Sequence, residues 1–156
     1  MYDFYFGDKD EIKQYAEKFI IFCKRLLPRW LNGIPDSECI ALYRILVDNK
    51  KEDMTIIETG CGASTIAFTL FSILHNAKVY SWDLNGSKGS IIKSIINESI
   101  CDVMGANINN IWKFINADST NEHIGIQILN ELNIKADFGF FDSWHTSDHL
   151  FKEINS

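Results

Sequence analysis

The stretch MTIIETGCGASTIAFTLFSILHNAKVYSWD, residues 54–83, constrains the fold more than any other part of the chain. The apolar run Thr55-Ile56-Ile57 suits a buried strand, and Glu58-Thr59-Gly60-Cys61-Gly62 is a glycine-rich turn. An amphipathic helical pattern follows, and then a second strand that ends on Asp83. A glycine turn between strand and helix lets a ligand lie against bare backbone, and an acid at the tip of the next strand can hold a ribose by its hydroxyls. The first expectation is therefore a nucleotide-like cofactor at the carboxyl edge of a sheet.

The same alternation continues to the end. Strands are expected at about 54–58, 78–83, 111–116 and 137–142, and helices at about 64–75, 88–101, 122–133 and from 146 onward. Phe138-Gly139-Phe140-Phe141 resembles the first strand in being apolar without alternation, as strands covered on both faces are. Crossovers of one hand between such strands build a doubly wound, mostly parallel α/β sheet. Ahead of it, Ile12, Tyr15, Phe19, Phe22, Cys23 and Leu26 fall near helical spacing, and Pro28 stops the run. A second helix is expected from Asp36 or Ser37, with Cys39, Ile40, Tyr43, Leu46 and Val47 on one face. The expected organisation is an N-terminal helical segment, 1–53, joined to a Rossmann-like domain, 54–156, in one compact unit that stops after the fourth strand. Asn85-Gly86-Ser87-Lys88-Gly89 reads as a flexible loop at the carboxyl end of strand two.

Charge and cysteine usage narrow the class. With 156 residues, 46% of them hydrophobic, the chain can fill one core and is short for two domains. A formal charge of −6 and a pI near 5.1 argue against a nucleic-acid partner, which normally meets clustered Lys and Arg. No apolar run is long enough for a membrane span, and the acidic start MYDFYFGDKDE has no basic segment followed by an apolar one, so a cytoplasmic protein is expected. Cys23, Cys39, Cys61 and Cys101 lie far apart with no metal-binding spacing, as reduced core thiols would.

The glycine turn itself argues against two cofactor classes. A nicotinamide fingerprint needs glycine where Thr65 stands, and a phosphate-binding P-loop needs a Gly-Lys-Ser or Gly-Lys-Thr that is absent. What remains, Glu58-x-Gly60-x-Gly62 after a strand, resembles the first motif of class I S-adenosylmethionine-dependent methyltransferases. In that resemblance the backbone at Gly60 and Gly62 carries the methionine portion of the cofactor. Asp83 accepts both ribose hydroxyls, a bidentate role that Asn or Ser fills less well. Asp118, in Asn116-Ala117-Asp118-Ser119 after strand three, matches a residue that contacts the adenine, and is equally placed to cap the following helix.

The fourth strand runs into Asp142-Ser143-Trp144-His145-Thr146-Ser147-Asp148-His149. Two histidines one helical turn apart beside an acid raise the thought of a transition metal, but no thiolate is near enough to complete a zinc set. The run more closely resembles the Asp-Ser-x-His-Thr-x-x-His segment of O-methyltransferases in the cephalosporin-hydroxylase and rhamnosyl O-methyltransferase-like group. The resemblance spans roughly residues 54–153. It implies methyl transfer from S-adenosylmethionine to a hydroxyl of a small molecule such as a sugar. Asp142 would ligate a magnesium ion that polarises this hydroxyl, His145 would be the base or an orienting group, and His149 would be structural. The rival expectation is a non-catalytic cofactor-binding or assembly module, or a fragment of a longer methyltransferase, with a homodimer covering the open edge of strand four.

Overall fold

Four short strands, β1 (Thr55–Thr59), β2 (Lys78–Trp82), β3 (Trp112–Ile115) and β4 (Phe138–Phe141), pair in parallel in the order β3-β2-β1-β4. This is seen in a computed structural model that describes residues 8–121, 124–143 and 146–155. The chain is thus an α/β protein with an all-parallel sheet, an arrangement consistent with a Rossmann-like fold. Across the register, Glu58 lies opposite Ser81 and Phe140, and Thr59 opposite Trp82 and Phe141. Every residue of β1 is buried, Glu58 and Thr59 included, so the polar side chains of this strand need partners inside the fold. Strand order reverses between β1 and β4, and parallel sheets place ligands beyond the carboxyl ends at such a point.

Alternation along the strands assigns one set of side chains to each face. Ile56, Val79 and Trp112 turn toward a core shared with the helices α2 (Ala16–Leu26), α3 (Asp36–Asp48), α4 (Ala63–His75) and α5 (Gly86–Ile96). In it the ring of Phe68 stands edge-on to Phe138 and Phe140, each 5.8 Å away. Ile57, Trp82 and Phe141 turn the other way, against Ala117, Ile126 and Leu129 from the β3–β4 connection. Coverage is complete at β1 and thins toward the sheet edges: Lys113 of β3 and Gly139 of β4 are exposed, and β4, expected to be covered on both faces, is only half-buried at its three phenylalanines.

The helices depart from the sequence expectation in four places. The single helix expected over 9–27 is two, α1 (Lys9–Gln14) and α2, because Tyr15 leaves helical geometry (φ −119°, ψ 34°). Backbone bonds from Tyr15 to Glu11 and from Phe19 to Tyr15 still cross the kink, and Ile12 before it and Phe19 and Ile20 after it are all buried. A 3-10 turn at Arg29–Leu31 joins α2 to α3. The stretch read as a flexible loop at 85–89 is instead the start of α5, because the Asn85 side chain accepts the Ser87 N–H (3.0 Å) and caps it. Past Ile96 the helix widens into a π-turn, Asn97–Cys101, and continues as α6 (Asp102–Met104) to a left-handed Gly105.

The helix expected over 122–133 contracts to one turn, α7 (Ile128–Glu131); of that span, residues 122 and 123 lie outside the described residues. The cause is Gly125, packed so tightly against its own chain that a Cβ there would sit 2.4 Å from the Ser119 carbonyl oxygen. The segment folds back instead of winding forward, with Ile126 N–H bonded to that same carbonyl (3.1 Å). The last helix, α8 (Ser147–Ile154), is capped by the Thr146 hydroxyl, which accepts from the His149 N–H (3.3 Å). Among the described residues no helix is long and apolar enough to cross a membrane.

Candidate functional site

The glycine turn ties three strand ends together. Gly60 sits at φ +79°, its N–H donates to the Trp82 carbonyl (2.8 Å), and the Asp142 N–H donates to Thr59 (2.9 Å). A Cβ on Gly60 would lie 2.0 Å from the Asp142 carbonyl oxygen. Glycine is therefore required twice over, by the left-handed backbone and by the approach of β4. Gly62 has a different neighbour. Its N–H donates to Thr65 Oγ1 (3.1 Å) at the start of α4, and a Cβ there would meet the Leu31 carbonyl at 3.1 Å.

Glu58 lies beneath the turn with no solvent exposure. Its carboxylate accepts hydroxyls from Ser64 (2.8 Å), Thr65 (2.6 Å) and Ser81 (2.6 Å), binding β1 to α4 and β2. Burial pushes its carboxyl up to about 7, while the three hydroxyls pull it back and the nearby Asp83 charge raises it further. This acid supports the turn from below; it is not part of the cleft wall above.

That wall encloses a cleft of about 180 Å³ bounded by Gly60, Trp82, Asp83, Lys88, Asp118 and His149, together with Leu84, Ala117, Ser119 and Ser143. Asp83 is the polar centre of one side. Its Oδ1 accepts from Asn85 N–H (2.8 Å), and Oδ2 from Cys61 N–H (3.1 Å) and the Lys88 ammonium (2.7 Å). Asn116 braces the same corner by donating to the Asp83 and Leu84 carbonyls (2.9 Å each). Asp118 Oδ1 accepts from the Thr120 N–H (2.9 Å) and hydroxyl (2.7 Å), and these two bonds hold its carboxyl below the ordinary value. Trp82 is almost wholly buried and its indole N–H is bonded to the Ile124 carbonyl (3.1 Å), so its ring belongs chiefly to the core. Burial, with Glu58 and Asp83 adding to it, raises the Cys61 thiol and so favours its neutral form. A larger depression of about 400 Å³ lies around Thr55 and Lys78, at the amino ends of the strands, where parallel sheets do not hold ligands.

Behind the opposite side of the cleft, where Ser119, Ser143 and His149 line it, lies a group that reading the sequence missed. Glu153, on α8 and 2% exposed, accepts hydrogen bonds from Ser143 (2.7 Å), Thr59 (3.2 Å) and Ser119, and its Oε1 lies 3.2 Å from His149 Nε2. Its partners come from β1, the β3–β4 connection, the end of β4 and α8. Ser119 Oγ also lies 3.5 Å from His149 Nε2, so hydroxyl and carboxylate meet the same ring nitrogen. A nucleophile relay needs them on opposite nitrogens, which excludes a Ser-His-Glu triad in this arrangement. The only local signal for the cluster was the four-residue spacing of His149 and Glu153 along a helix.

Of the residues singled out from sequence, Gly60, Asp83 and Asp118 converge on this cleft, while Glu58 and Gly62 stand behind it. Asp142 sits at the end of β4 against Gly60, and His145 lies outside the described residues. Among the described residues no group of three or more His, Cys, Asp or Glu side chains converges as a metal set. No protein-family model matches the chain, and no curated protein matches it significantly.

Proposed function

We propose that the cleft at the carboxyl edge of β1 and β2 binds S-adenosylmethionine, and that the chain directs methyl transfer to a hydroxyl of a small molecule, a sugar being the favoured class. The observation that carries this reading is the meeting of Gly60, Asp83 and Asp118, from three separate strand ends, around one cleft at the switch point. Asp83 would take the ribose hydroxyls, Asp118 the adenine edge, and the bare backbone at Gly60 the methionine portion. The cofactor supplies an electrophilic methyl on a sulfonium.

The chain's own task is placement and proton handling. Gly60 packs on Asp142, so the cofactor side and the end of β4 are held in register, and an acceptor entering along β4 would meet the cofactor at a defined distance. His145 is the base or orienting group that the family resemblance implies. Among the described residues His149, seated on Glu153 in the cleft wall, is the second imidazole available to take the proton. Asp142 at the end of β4 would contribute one carboxylate to a magnesium ion, which would polarise the acceptor hydroxyl.

Calorimetric titration with S-adenosylhomocysteine tests the proposal. Binding is expected, with Asp83→Ala weakening it by roughly 1.5–3 kcal/mol, the range for a charge-assisted hydrogen bond. No binding by the unaltered chain would sink the reading; full affinity in folded Asp83→Ala would remove the assigned ribose contact.

A further inference from the structure

Asp83 presents its carboxylate to the cleft already engaged. A carboxylate has about four acceptor positions, two on each oxygen. Oδ2 uses both of its own on Cys61 N–H and Lys88 Nζ, with the weakly donating Cys61 thiol a further 3.8 Å contact, and Oδ1 uses one on Asn85 N–H. A ribose offers two neighbouring hydroxyl donors, and only one acceptor position remains for them. The two backbone donors are fixed by the glycine turn and by the cap of α5. Of the side chains that reach Asp83, the Cys61 thiol is short and buried, whereas Lys88 is long and flexible and keeps 28% of its side chain exposed, against 7% for Asp83.

The size of the cleft points the same way. Small-molecule sites commonly enclose about 300–1,000 Å³, and the cleft is about 180 Å³ with Lys88 in its wall. Moving this one side chain outward would both vacate an acceptor position on Oδ2 and widen the opening. The exchange is chemically balanced, because ribose hydroxyls replace ammonium N–H groups as donors to a carboxylate that is never left bare.

From this geometry we propose that Lys88 is the gate of the nucleoside site: it occupies the ribose position on Asp83 in the unliganded chain and must swing out for the cofactor to dock. The inference rests on the reading of the cleft as a cofactor site. Lys88 is then a determinant of affinity that acts against binding, the reverse of the role usually given to a cation in a pocket. Its cost is matched to ligands that return two donors to Asp83, so a nucleoside with both ribose hydroxyls opens the gate and one lacking them does not.

The experiment is calorimetric titration of S-adenosylhomocysteine into the whole chain, its Lys88→Met variant and its Lys88→Arg variant. Lys88→Met keeps the apolar stem and removes the competing donor, and should tighten binding by roughly tenfold, the equivalent of one modest charge-assisted bond. Lys88→Arg restores the competitor and should bind no more tightly than the unaltered chain. A merely structural ion pair would instead lower the unfolding midpoint of Lys88→Met and leave its affinity unchanged or weaker, and that outcome overturns the gate while leaving the cofactor reading in place. If neither the unaltered chain nor Lys88→Met binds, the cofactor reading falls and the gate with it. As a further arm, adenosine should gain from Lys88→Met in a ligand-observed NMR titration and 2′,3′-dideoxyadenosine should not; an equal gain for both would overturn the assignment of the ribose as the group that displaces the lysine.

Discussion

Glu58 and Glu153 are both buried carboxylates at the carboxyl edge of the sheet, and they are assembled in opposite ways. Glu58 draws Ser64, Thr65 and Ser81, all within the single β1-α4-β2 unit. Glu153 draws Thr59, Ser119 and Ser143, with His149 beside it, from segments up to 94 residues away in sequence. The first is a local device that stiffens a turn; the second pins α8 to the ends of β1 and β4. A burial penalty is met in both by several donors, because one partner seldom satisfies a carboxylate removed from water. The two walls of the cleft are thus braced from behind in different ways: the support at Glu58 belongs to a supersecondary unit, and that at Glu153 exists only in the finished fold.

The largest expected effect comes from the residue that joins the two walls. Gly60→Ala imposes a left-handed backbone on a residue with a Cβ and drives that atom into the Asp142 carbonyl. A loss of about 3–5 kcal/mol is expected from the strain and the forced shift of β4 together. Urea unfolding measures it, and a loss within 1 kcal/mol would show that the walls are not joined there.

Next comes the pH dependence of the local support beneath the glycine turn. The folded chain holds the Glu58 proton to about pH 7, whereas an ordinary glutamate releases it near 4.5. The native state therefore gains most from this group below the lower value and loses that contribution as pH rises through 7, by on the order of 3 kcal/mol. Glu58→Gln removes the titration, so the stability difference between variant and unaltered chain should move in the variant's favour from pH 4.5 to 7.5. Thermal melts across that range check it; a difference that stays flat would mean the carboxylate is satisfied as an anion.

A smaller effect is expected at the distant wall. In Glu153→Gln an amide N–H₂ would face hydroxyls that now donate, leaving one or more buried donors without an acceptor, at a cost of roughly 2 kcal/mol. Amide hydrogen exchange should show the loss concentrated in α8, with α4 unchanged. Equal loss of protection in both helices would break the distinction between the two walls.

Asp83 and Gly60 could be read in advance because each follows from short-range physics: a strand that must end, a chain that must turn sharply, an acid with nowhere to go but the rim. The α5 cap was written just as locally in Asn85-Gly86-Ser87, yet its glycines masked a helix start as a loop. The kink at Tyr15 and the contraction of 122–133 to α7 had no comparable signal, since the first serves burial on both sides and the second depends on how closely Gly125 meets Ser119.

By itself the sequence determined the strand and helix periodicity, the four apolar strands of an α/β sheet, and the position of the glycine turn and its two acids. Only the tertiary structure decided the strand order, the withdrawal of Glu58 and Gly62 from the cleft, the ion pair of Lys88 with Asp83, and the gathering of Thr59, Ser119, Ser143 and His149 on Glu153. The reason is range: backbone geometry and side-chain period act over a few residues, whereas satisfying a buried charge is settled by whichever donors the packed chain brings within about 3 Å.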